Sequence, residues 1–393
     1  MNKKKILFLS CYDQPNGSST RTFNFAKTFV KFGHDVTMVC NNYSHLTKKK
    51  ISYKKKITVK SVKVFLIDNF KYSDHGISRI FDMCINFFMI LKLFIFKKFD
   101  VIIAPSVPLT TSLAGLILKL FGSSKFFFEV RDIWPDALVY NKNITRKNLI
   151  FWFFKFIEIL CYKFSTSIIT SLPNVKRYIK KYDNKKKIFY IPNPLEIKNY
   201  RKKKIKLNKK ITIVYIGRFS NDHDTDLIVK VANILKDKKK FIFKLYGDGY
   251  NKNKTIQLAK ELNLKNIFFY DFVNKSKISN ILKNASICLA PITDSLAYQW
   301  GINLNKVYDY MKVAKPVIFS GNVDNNIVYK SQKKYCYKSG DYKSVAKGIL
   351  CISALSQNSQ LKIGKNNYLH LKKNNDLIIL SKKYNKIINS YVN

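Results

Sequence analysis

The chain has 393 residues, 47% of them hydrophobic and 24% charged, which is enough for two or three domains with ordinary cores. Its 13 glycines and 9 prolines are too few for a low-complexity protein. The 7 cysteines form no CxxC pair, which predicts free thiols and a reducing compartment. We expect no secretory signal, because the apolar run that follows the basic first residues is too short.

The charge is strongly unbalanced, with 72 lysines and arginines against 24 acidic residues and a formal net charge of +48. Such a field attracts nucleic acid, acidic lipid head groups or phosphorylated small molecules. A/T-rich codon usage would give the same excess, because only seven of the 72 basic residues are arginine. The charge therefore agrees with an anionic partner without identifying one.

Short apolar runs alternate with segments of helical length along the whole chain. In the first half, the predicted strands are residues 5–10, 36–40, 101–104, 125–130, 167–171 and 187–191. In the second half, they are residues 211–216, 241–246, 266–269, 286–290 and 316–320. Strands separated by helical segments predict βαβ units and parallel sheets. The predicted fold class is α/β, with two doubly wound Rossmann-like domains facing each other across a cleft.

A basic segment with two prolines, residues 192–210, interrupts this alternation. Such a segment is typical of a connection between domains. We therefore predict a first domain over residues 1–195, a linker over 196–210 and a second domain over 211–365.

Two strongly apolar segments, residues 83–96 and 149–164, bear on membrane binding. Both are shorter than the ~20 residues that a membrane-spanning helix needs, and both contain charged residues. They are either buried core helices or helices whose aromatic, lysine-flanked face lies in the surface of an anionic bilayer.

The first predicted strand leads into a loop that contains Asn16, Gly17, Ser18 and Arg21. A glycine and small hydroxyl residues at a helix start leave backbone N–H groups free to bind a phosphate. The spacing is neither GxGxxG nor GxxxxGK[ST], which disfavours NAD and P-loop chemistry. A plain capped turn is the alternative.

The predicted strand 125–130 ends in a second polar loop that contains Glu129, Arg131 and Asp132. Charged groups are costly to bury without partners. The group is therefore either a buried structural Arg–Asp pair or an acid/base or substrate-orienting group at the cleft.

In the second half, Gly217 and Arg218 follow the first predicted strand, and Gly247 and Gly249 follow the next. Glycine permits close approach of the backbone, and arginine can bind a diphosphate through two parallel hydrogen bonds. Residues 222–226 resemble an acidic metal-binding triplet, but we expect them to cap a helix over residues 224–235.

Asn305, Lys306 and Asp309 lie at the predicted start of a later helix. Lys306 suits a phosphate near the positive end of the helix, and Asp309, one turn on, suits a pair of ribose hydroxyls. A solvated, capped helix is the alternative. No metal and no cofactor are predicted, since the five histidines are scattered.

At these residues the chain resembles two-domain (GT-B) nucleotide-sugar glycosyltransferases of the retaining group called family 4. Within that group it is most similar to bacterial fucosamine, or related amino-sugar, transferases of O-antigen and capsule synthesis. The resemblance covers nearly the whole chain and rests on PNGSSTR, EVRDIWPD, IPN, YIGRF, LYGDG and NLNKVYDYMKVAKPVI.

The resemblance implies that Arg218 and Lys306 hold the nucleoside diphosphate and that Asp309 binds the ribose. It implies that Gly17 and its neighbours contact the donor from an acceptor-side first domain. Arg131 and Asp132 match the family's His-Asp pair near the transferred sugar. The last segment, residues 366–393, is expected to be a helix that crosses back onto the first domain.

The sequence departs from the family pattern at three positions. Gly301 stands where the paired-glutamate motif has its first acid, and His223 replaces a lysine that the family has shortly after Gly-Arg. Arg131 replaces the histidine beside Asp132. These changes bear on the donor sugar and on the contacts to the diphosphate.

The predicted activity is retaining transfer of a sugar, such as an N-acetylated amino sugar, from UDP to a lipid-linked saccharide. Its expected place is peripheral, on the inner face of the cell membrane. A nucleotide-sugar epimerase of the same shape is the alternative enzyme. A non-catalytic protein that binds membrane or nucleic acid is the alternative outside enzymes, although no nucleic-acid-binding module is evident.

Overall fold

The computed structural model of the chain describes residues 2–15, 20–44, 49–69, 77–140, 144–197, 210–323 and 325–392. The chain forms two compact units: Met1–Glu196 with Asn375–Asn393 make up unit 1, and Ile197–Asn374 make up unit 2. The change from unit 1 to unit 2 lies at the start of the predicted linker, whose residues 198–209 are outside the described part.

Unit 1 begins with a series of strands and helices in alternation. They are β1 Lys5–Leu9, α1 Arg21–Lys31, β2 Asp35–Asn41, β3 Tyr43–Ser44, β4 Lys49–Lys50, β5 Lys56–Val59, β6 Val62–Ile67, α2 Ile77–Phe94, β7 Val101–Pro105, α3 Leu109–Leu120, β8 Lys125–Val130, α4 Asp136–Tyr140, α5 Leu149–Phe164, β9 Ser167–Thr170, α6 Lys176–Ile179 and β10 Ile188–Tyr190.

The main sheet of unit 1 has the order β10-β9-β8-β7-β1-β2-β6-β5. All neighbouring strands are parallel except β5, which pairs antiparallel with β6. The strand order reverses between β1 and β7. In open α/β sheets, ligands bind beyond the carboxyl ends of the strands at such a reversal.

Unit 2 continues the alternation with a second sheet. Its elements are β11 Ile211–Ile216, α7 Thr225–Ile234, β12 Phe241–Tyr246, α8 Lys252–Glu261, β13 Ile267–Tyr270, α9 Lys275–Lys283, β14 Ile287–Pro291, α10 Asn305–Lys312, β15 Val317–Ser320, α11 Ile327–Gln332, β16 Cys336–Tyr337, α12 Tyr342–Ala354 and α13 Gln357–Asn375. Short 3-10 helices occupy Leu296–Trp300 and Lys333–Tyr335.

The sheet of unit 2 is parallel throughout, in the order β13-β12-β11-β14-β15-β16. This is the Rossmann order, and it reverses between β11 and β14. Each predicted strand is present to within one residue at either end. The predicted class of two Rossmann-like α/β domains is confirmed.

The last helix, α14 Leu377–Asn389, completes the core of unit 1. The ring of Tyr384 lies 5.1 Å from that of Phe25 and 5.6 Å from that of Phe29, both on α1. The return to unit 1 begins at Asn375, whose side chain donates to the carbonyl of Asn193. Helix α14 therefore buries the outer side of α1.

Candidate functional site

The carboxyl ends of β1 and β8 in unit 1 meet in a buried charge network around Glu129. Arg21 Nε donates to Glu129 Oε1 at 3.0 Å, and Arg131 Nε donates to Glu129 Oε2 at 2.7 Å. Burial raises the pKa of Glu129, but the guanidiniums of Arg131 and Arg21 more than offset this and hold its pKa below the usual value. The carboxylate therefore stays ionised between two cations.

Both arginines of this network use their remaining donors on other parts of unit 1. Arg21 donates to the carbonyls of Ile191 and Pro192 at 2.9 and 2.7 Å. Arg131 Nη1 donates to Asp13 Oδ2 at 2.6 Å. Burial lowers the pKa of Arg131, but Asp13 and Glu129 more than offset this and raise it. Arg131 thus forms an Arg–Asp pair, but its partner is Asp13 of another loop, and Glu129 is a second partner.

Asp13 links the network to the start of helix α1. Its Oδ2 accepts from the backbone N–H of Thr22 at 2.9 Å and from the Thr22 hydroxyl at 2.5 Å. A carboxylate at a helix N-terminus satisfies orphan N–H groups and interacts favourably with the helix dipole. The network thus fixes where the loop after β1 ends. Asn16, Gly17 and Ser18 of that loop lie outside the described residues.

Asp132 directly follows Arg131 and is exposed after the end of β8. Its Oδ1 accepts from the backbone N–H of Ile133 at 2.9 Å. The Ser106 hydroxyl donates to the carbonyl of Asp132 at 3.0 Å, which holds the loop against the end of β7. The structure therefore presents Asp132 on an anchored loop, with Arg131 directed into the unit.

In unit 2, the loops after β11 and β12 lie against each other. The backbone N–H of Gly217 donates to the carbonyl of Tyr246, and that of Phe219 donates to Asp248, both at 2.9 Å. A Cβ atom at Gly247 would lie 1.8 Å from the carbonyl oxygen of Gly217, and the φ of Gly247 is +147°. Only glycine fits this close approach.

Gly249 has the same role one step along the loop. Its φ is +143°, and a Cβ atom there would lie 2.2 Å from the carbonyl oxygen of Phe219. The two glycines thus hold the loop that carries Gly217 and Arg218 in place.

Lys306 reaches the same loop from the first turn of α10. Its Nζ lies 3.1 Å from the hydroxyl of Tyr215 and 4.4 Å from the centre of that ring. A Cβ atom at Gly217 would lie 2.7 Å from this Nζ, so glycine makes room for the amine. Burial lowers the pKa of Lys306 to about 7. No carboxylate of the described residues pairs with it, so the amine suits an anionic ligand.

Arg218 adds to the positive potential around Lys306, and a neutral His223 lies beside both. Arg218 is exposed, and within the described ranges its side chain makes no ion pair. Burial, together with the charges of Lys306 and Arg218, lowers the pKa of His223 to about 3. The imidazole is therefore neutral near pH 7, with its Nδ1 placed 3.1 Å from the Ser220 hydroxyl. The structure thus brings Gly217, Arg218 and Lys306 together.

Asp309 lies one turn after Lys306 on α10 and is half-buried. Burial raises its pKa, and the positive charges of Lys275 and Lys312 partly offset this. Its carboxylate forms no hydrogen bond or ion pair with the described part of the chain. Asn305, the first residue of α10, is exposed. The helix therefore offers an ammonium and a carboxylate on successive turns.

The acidic run 222–226 begins helix α7, as predicted. Asp224 is the N-cap, and its Oδ1 accepts from the backbone N–H of Leu227 at 3.0 Å. Within the described ranges, no group of three histidine, cysteine or acidic side chains is arranged to hold a metal ion.

Two residues that contact the predicted site residues were not predicted from the sequence: Asp13 and Tyr215. Asp13 follows a buried strand, and an acid in that position could have been marked as a partner for the conspicuous arginines. Tyr215 lies within an apolar strand, and no pattern in the sequence signals that its hydroxyl and ring would contact Lys306.

Comparison with known families gives two matches that meet near the boundary between the units. Residues 15–199 match the model "Glycosyltransferase Family 4", and residues 196–370 match "Glycosyl transferases group 1". The first match includes Arg21, Glu129 and Arg131 but begins after Asp13, and the second includes Gly217, Arg218 and Lys306. No curated protein matches the chain significantly.

Solved structures of similar fold cover nearly the whole chain. Sucrose-phosphate synthase from Thermosynechococcus elongatus has a TM-score of 0.77 at 13% identity, with 99% of each chain covered. HepE of Anabaena, in complex with UDP and glucose, has a TM-score of 0.70 at 13% identity, with 98% of this chain and 100% of that chain covered. WaaG, a glycosyltransferase involved in lipopolysaccharide biosynthesis, has a TM-score of 0.67 at 14% identity, with 98% and 99% covered.

Proposed function

Because the chain is a glycosyltransferase with a family 4 domain and a group 1 domain, we propose that it transfers a sugar from UDP to a lipid-linked saccharide. The observation that carries the proposal is the cluster of Arg218, His223 and Lys306 at the end of β11. Two cationic side chains without a carboxylate partner in the described residues are suited to a diphosphate.

In this proposal, Lys306 and Arg218 bind the diphosphate and stabilise the charge that develops as it leaves. Fixed positive groups near a leaving group lower the barrier to the chemical step. Lys306 is especially effective, because a charge that is partly removed from water interacts more strongly with an anion. Asp309 accepts hydrogen bonds from the ribose hydroxyls one turn along α10.

The proposed reaction retains the configuration of the sugar and uses no protein nucleophile. Asp132 orients the transferred sugar or the attacking hydroxyl from its anchored loop, and Arg131 holds that loop through Glu129 and Asp13. The proposed roles of Asn16, Gly17 and Ser18 on the donor side rest on the sequence resemblance. Arg21 was predicted to share that role, but its guanidinium is buried against Glu129 and two backbone carbonyls, so it holds the unit 1 network instead.

Different observations support the proposed donor and the proposed acceptor. UDP is supported by the HepE structures, which contain UDP, UDP with glucose, or UDP-glucose. An amino sugar such as fucosamine, and a lipid-linked acceptor of O-antigen or capsule synthesis, are supported by the resemblance of the motifs. The similar fold of WaaG agrees with that setting. The proposed place of action is the cytoplasmic face of the cell membrane.

Calorimetry and turnover assays test this proposal in sequence. UDP is expected to bind with micromolar affinity, and Arg218→Ala and Lys306→Ala are each expected to weaken it at least tenfold. Unchanged UDP affinity in both variants would remove the assignment. Turnover of UDP-sugars is then measured with and without a lipid-linked acceptor. A change in the donor sugar without acceptor would indicate an epimerase instead.

Asp132→Asn tests the role on the acceptor side. The variant is expected to lose at least about a hundredfold in kcat while UDP affinity changes less than twofold. Normal turnover in a folded variant would exclude a role for this carboxylate in the reaction.

A further inference from the structure

We infer that one outer face of unit 1 binds the surface of an anionic bilayer, which goes beyond the proposed sugar transfer. The face is formed by α2, α3 and α5, with α3 packed between the other two. We call it the aromatic face, and its exposed apolar residues are Phe81, Phe88, Leu120, Phe121, Leu149, Trp152, Phe153, Phe156 and Phe164.

The exposure on α5 is unusually large for aromatic side chains. Trp152 and Phe153 are each 57% exposed, and Phe156 is 61% exposed. Contiguous apolar patches of this kind are rare on soluble monomers and mark sites of protein or membrane interaction. We therefore expect the aromatic face to be buried against a binding partner.

Helix α5 is apolar on both sides, and its inward side is already filled. Phe151, Phe154 and Ile157 are buried against the unit. Lys155 fixes the rotation of the helix, because its amine donates to Asp136 at 2.6 Å and to Glu158 at 2.7 Å. The outward aromatic residues therefore cannot turn into the core.

The charges on this face select its partner. The only acids on α2, α3 and α5 are Asp82 and Glu158, and both are buried. The exposed charges on the helices include Lys92 and Lys163 and no acid. The segment after α2 adds Lys97 and Lys98, with one exposed acid, Asp100. A second copy of the chain would bring the same charges to the contact. An anionic bilayer instead accepts the aromatic rings in its interface and the lysines at its head groups.

The depth of the interaction is limited to the bilayer surface. None of the helices in the described ranges is long and apolar enough to cross a membrane. Side chains of tryptophan and phenylalanine on a helix that lies in the interface enter the boundary between head groups and acyl chains. The aromatic face thus supports peripheral binding.

Vesicle sedimentation of the full chain tests the inference without any donor or acceptor. Phosphatidylcholine vesicles that contain phosphatidylglycerol are expected to bind the protein at least tenfold more tightly than pure phosphatidylcholine vesicles. Trp152→Gln/Phe156→Gln and Lys92→Glu/Lys163→Glu are each expected to weaken this binding at least tenfold. Ile378→Gln/Ile379→Gln, which alters two exposed apolar residues of α14, is the matched control and is expected to bind as the parent does.

Two further measurements separate binding from misfolding and from the proposed function. Each variant is checked for its melting temperature and for UDP affinity, which depends on unit 2 and stays unchanged if only the aromatic face is altered. Lipids with brominated acyl chains are expected to quench the fluorescence of Trp152, and Trp152→Phe loses that quenching while it still binds.

Equal binding by the Trp152→Gln/Phe156→Gln variant, or binding that does not depend on phosphatidylglycerol, would overturn the inference. So would a dimer in solution that this variant abolishes while vesicles are not bound, because the occupant would then be a second copy. If the unmodified protein binds vesicles but does not bind UDP, the proposed function is refuted and this inference stands.

Discussion

The amine of Lys306 lies 3.1 Å from the hydroxyl of Tyr215 and 4.4 Å above the centre of its ring. The hydroxyl in turn donates to the carbonyl of Arg218 at 2.7 Å. Tyr215 on β11 therefore links Lys306 on α10 to the loop that carries Arg218. The hydroxyl and ring fix the position of Lys306 without supplying a negative charge, so an anionic ligand can still pair with the amine when it is protonated.

The lowered pKa of Lys306 predicts that UDP binding takes up a proton. At pH 8 the free amine is mostly neutral, because its pKa is about 7. A bound diphosphate favours the charged form, so about one proton is taken up per UDP. UDP affinity should therefore fall as pH rises above 7, by up to about tenfold per pH unit.

Calorimetry at pH 8 in buffers of different ionisation enthalpy measures this proton uptake. In Lys306→Met the buffer dependence should disappear together with most of the affinity. A parent protein whose UDP binding enthalpy is the same in every buffer would show that Lys306 does not change its protonation state.

Asp309→Asn is predicted to weaken UDP binding about tenfold, because a neutral amide accepts hydrogen bonds from ribose less strongly than a carboxylate does. Binding of inorganic pyrophosphate should stay the same, since it lacks the ribose. Competition calorimetry with both ligands gives the comparison. Equal losses for both ligands would instead indicate a general change in α10.

Glu129→Gln is predicted to destabilise the protein by about 3–5 kcal/mol, because it leaves the buried Arg21 without a carboxylate and removes one of the two carboxylates that pair with Arg131. Asp35→Asn is the matched control: it removes the exposed ion pair with Lys63 and should cost less than about 1 kcal/mol. Urea unfolding of both variants measures the difference. Similar costs would show that the buried network contributes no more than a surface pair.

Gly247→Ala is predicted to cost more than about 3 kcal/mol, since a positive φ and a collision with the Gly217 carbonyl act together. Gly340→Ala offers the control, because Gly340 has a φ of +77° but no atom within 4 Å of its added Cβ. Its cost should be about 1–2 kcal/mol. Thermal unfolding of the two variants tests whether the close approach, rather than backbone strain alone, requires glycine at position 247.

The strands were predictable because they are continuous apolar runs, which parallel strands buried on both faces require. The antiparallel pair of β5 and β6 was missed. Strand β5 alternates polar and apolar residues at the sheet edge, whereas β6 is mostly apolar and could have been recognised. Edge strands carry polar residues and so lack the apolar signal.

The grouping of Gly217, Arg218 and Lys306 in unit 2 was predictable in part, because the first two follow a strand and Lys306 lies in the first turn of a helix. The network of unit 1 was not. Its central pair joins Arg131 to Asp13, which lie 118 residues apart in the sequence. Pairing over such a separation is decided by how β1 and β8 are placed in the sheet. The roles of the predicted site residues in donor binding stay predictions.

Helix α14 has a consequence for how the protein is made. The side of α1 that carries Phe25 and Phe29 is covered by a segment that the ribosome synthesises only after all of unit 2. During translation that apolar side of α1 stays exposed to solvent, and unit 2 can fold before unit 1 is complete. A nascent chain of this topology needs a chaperone, or rapid release, more than a chain whose domains are completed in order of synthesis.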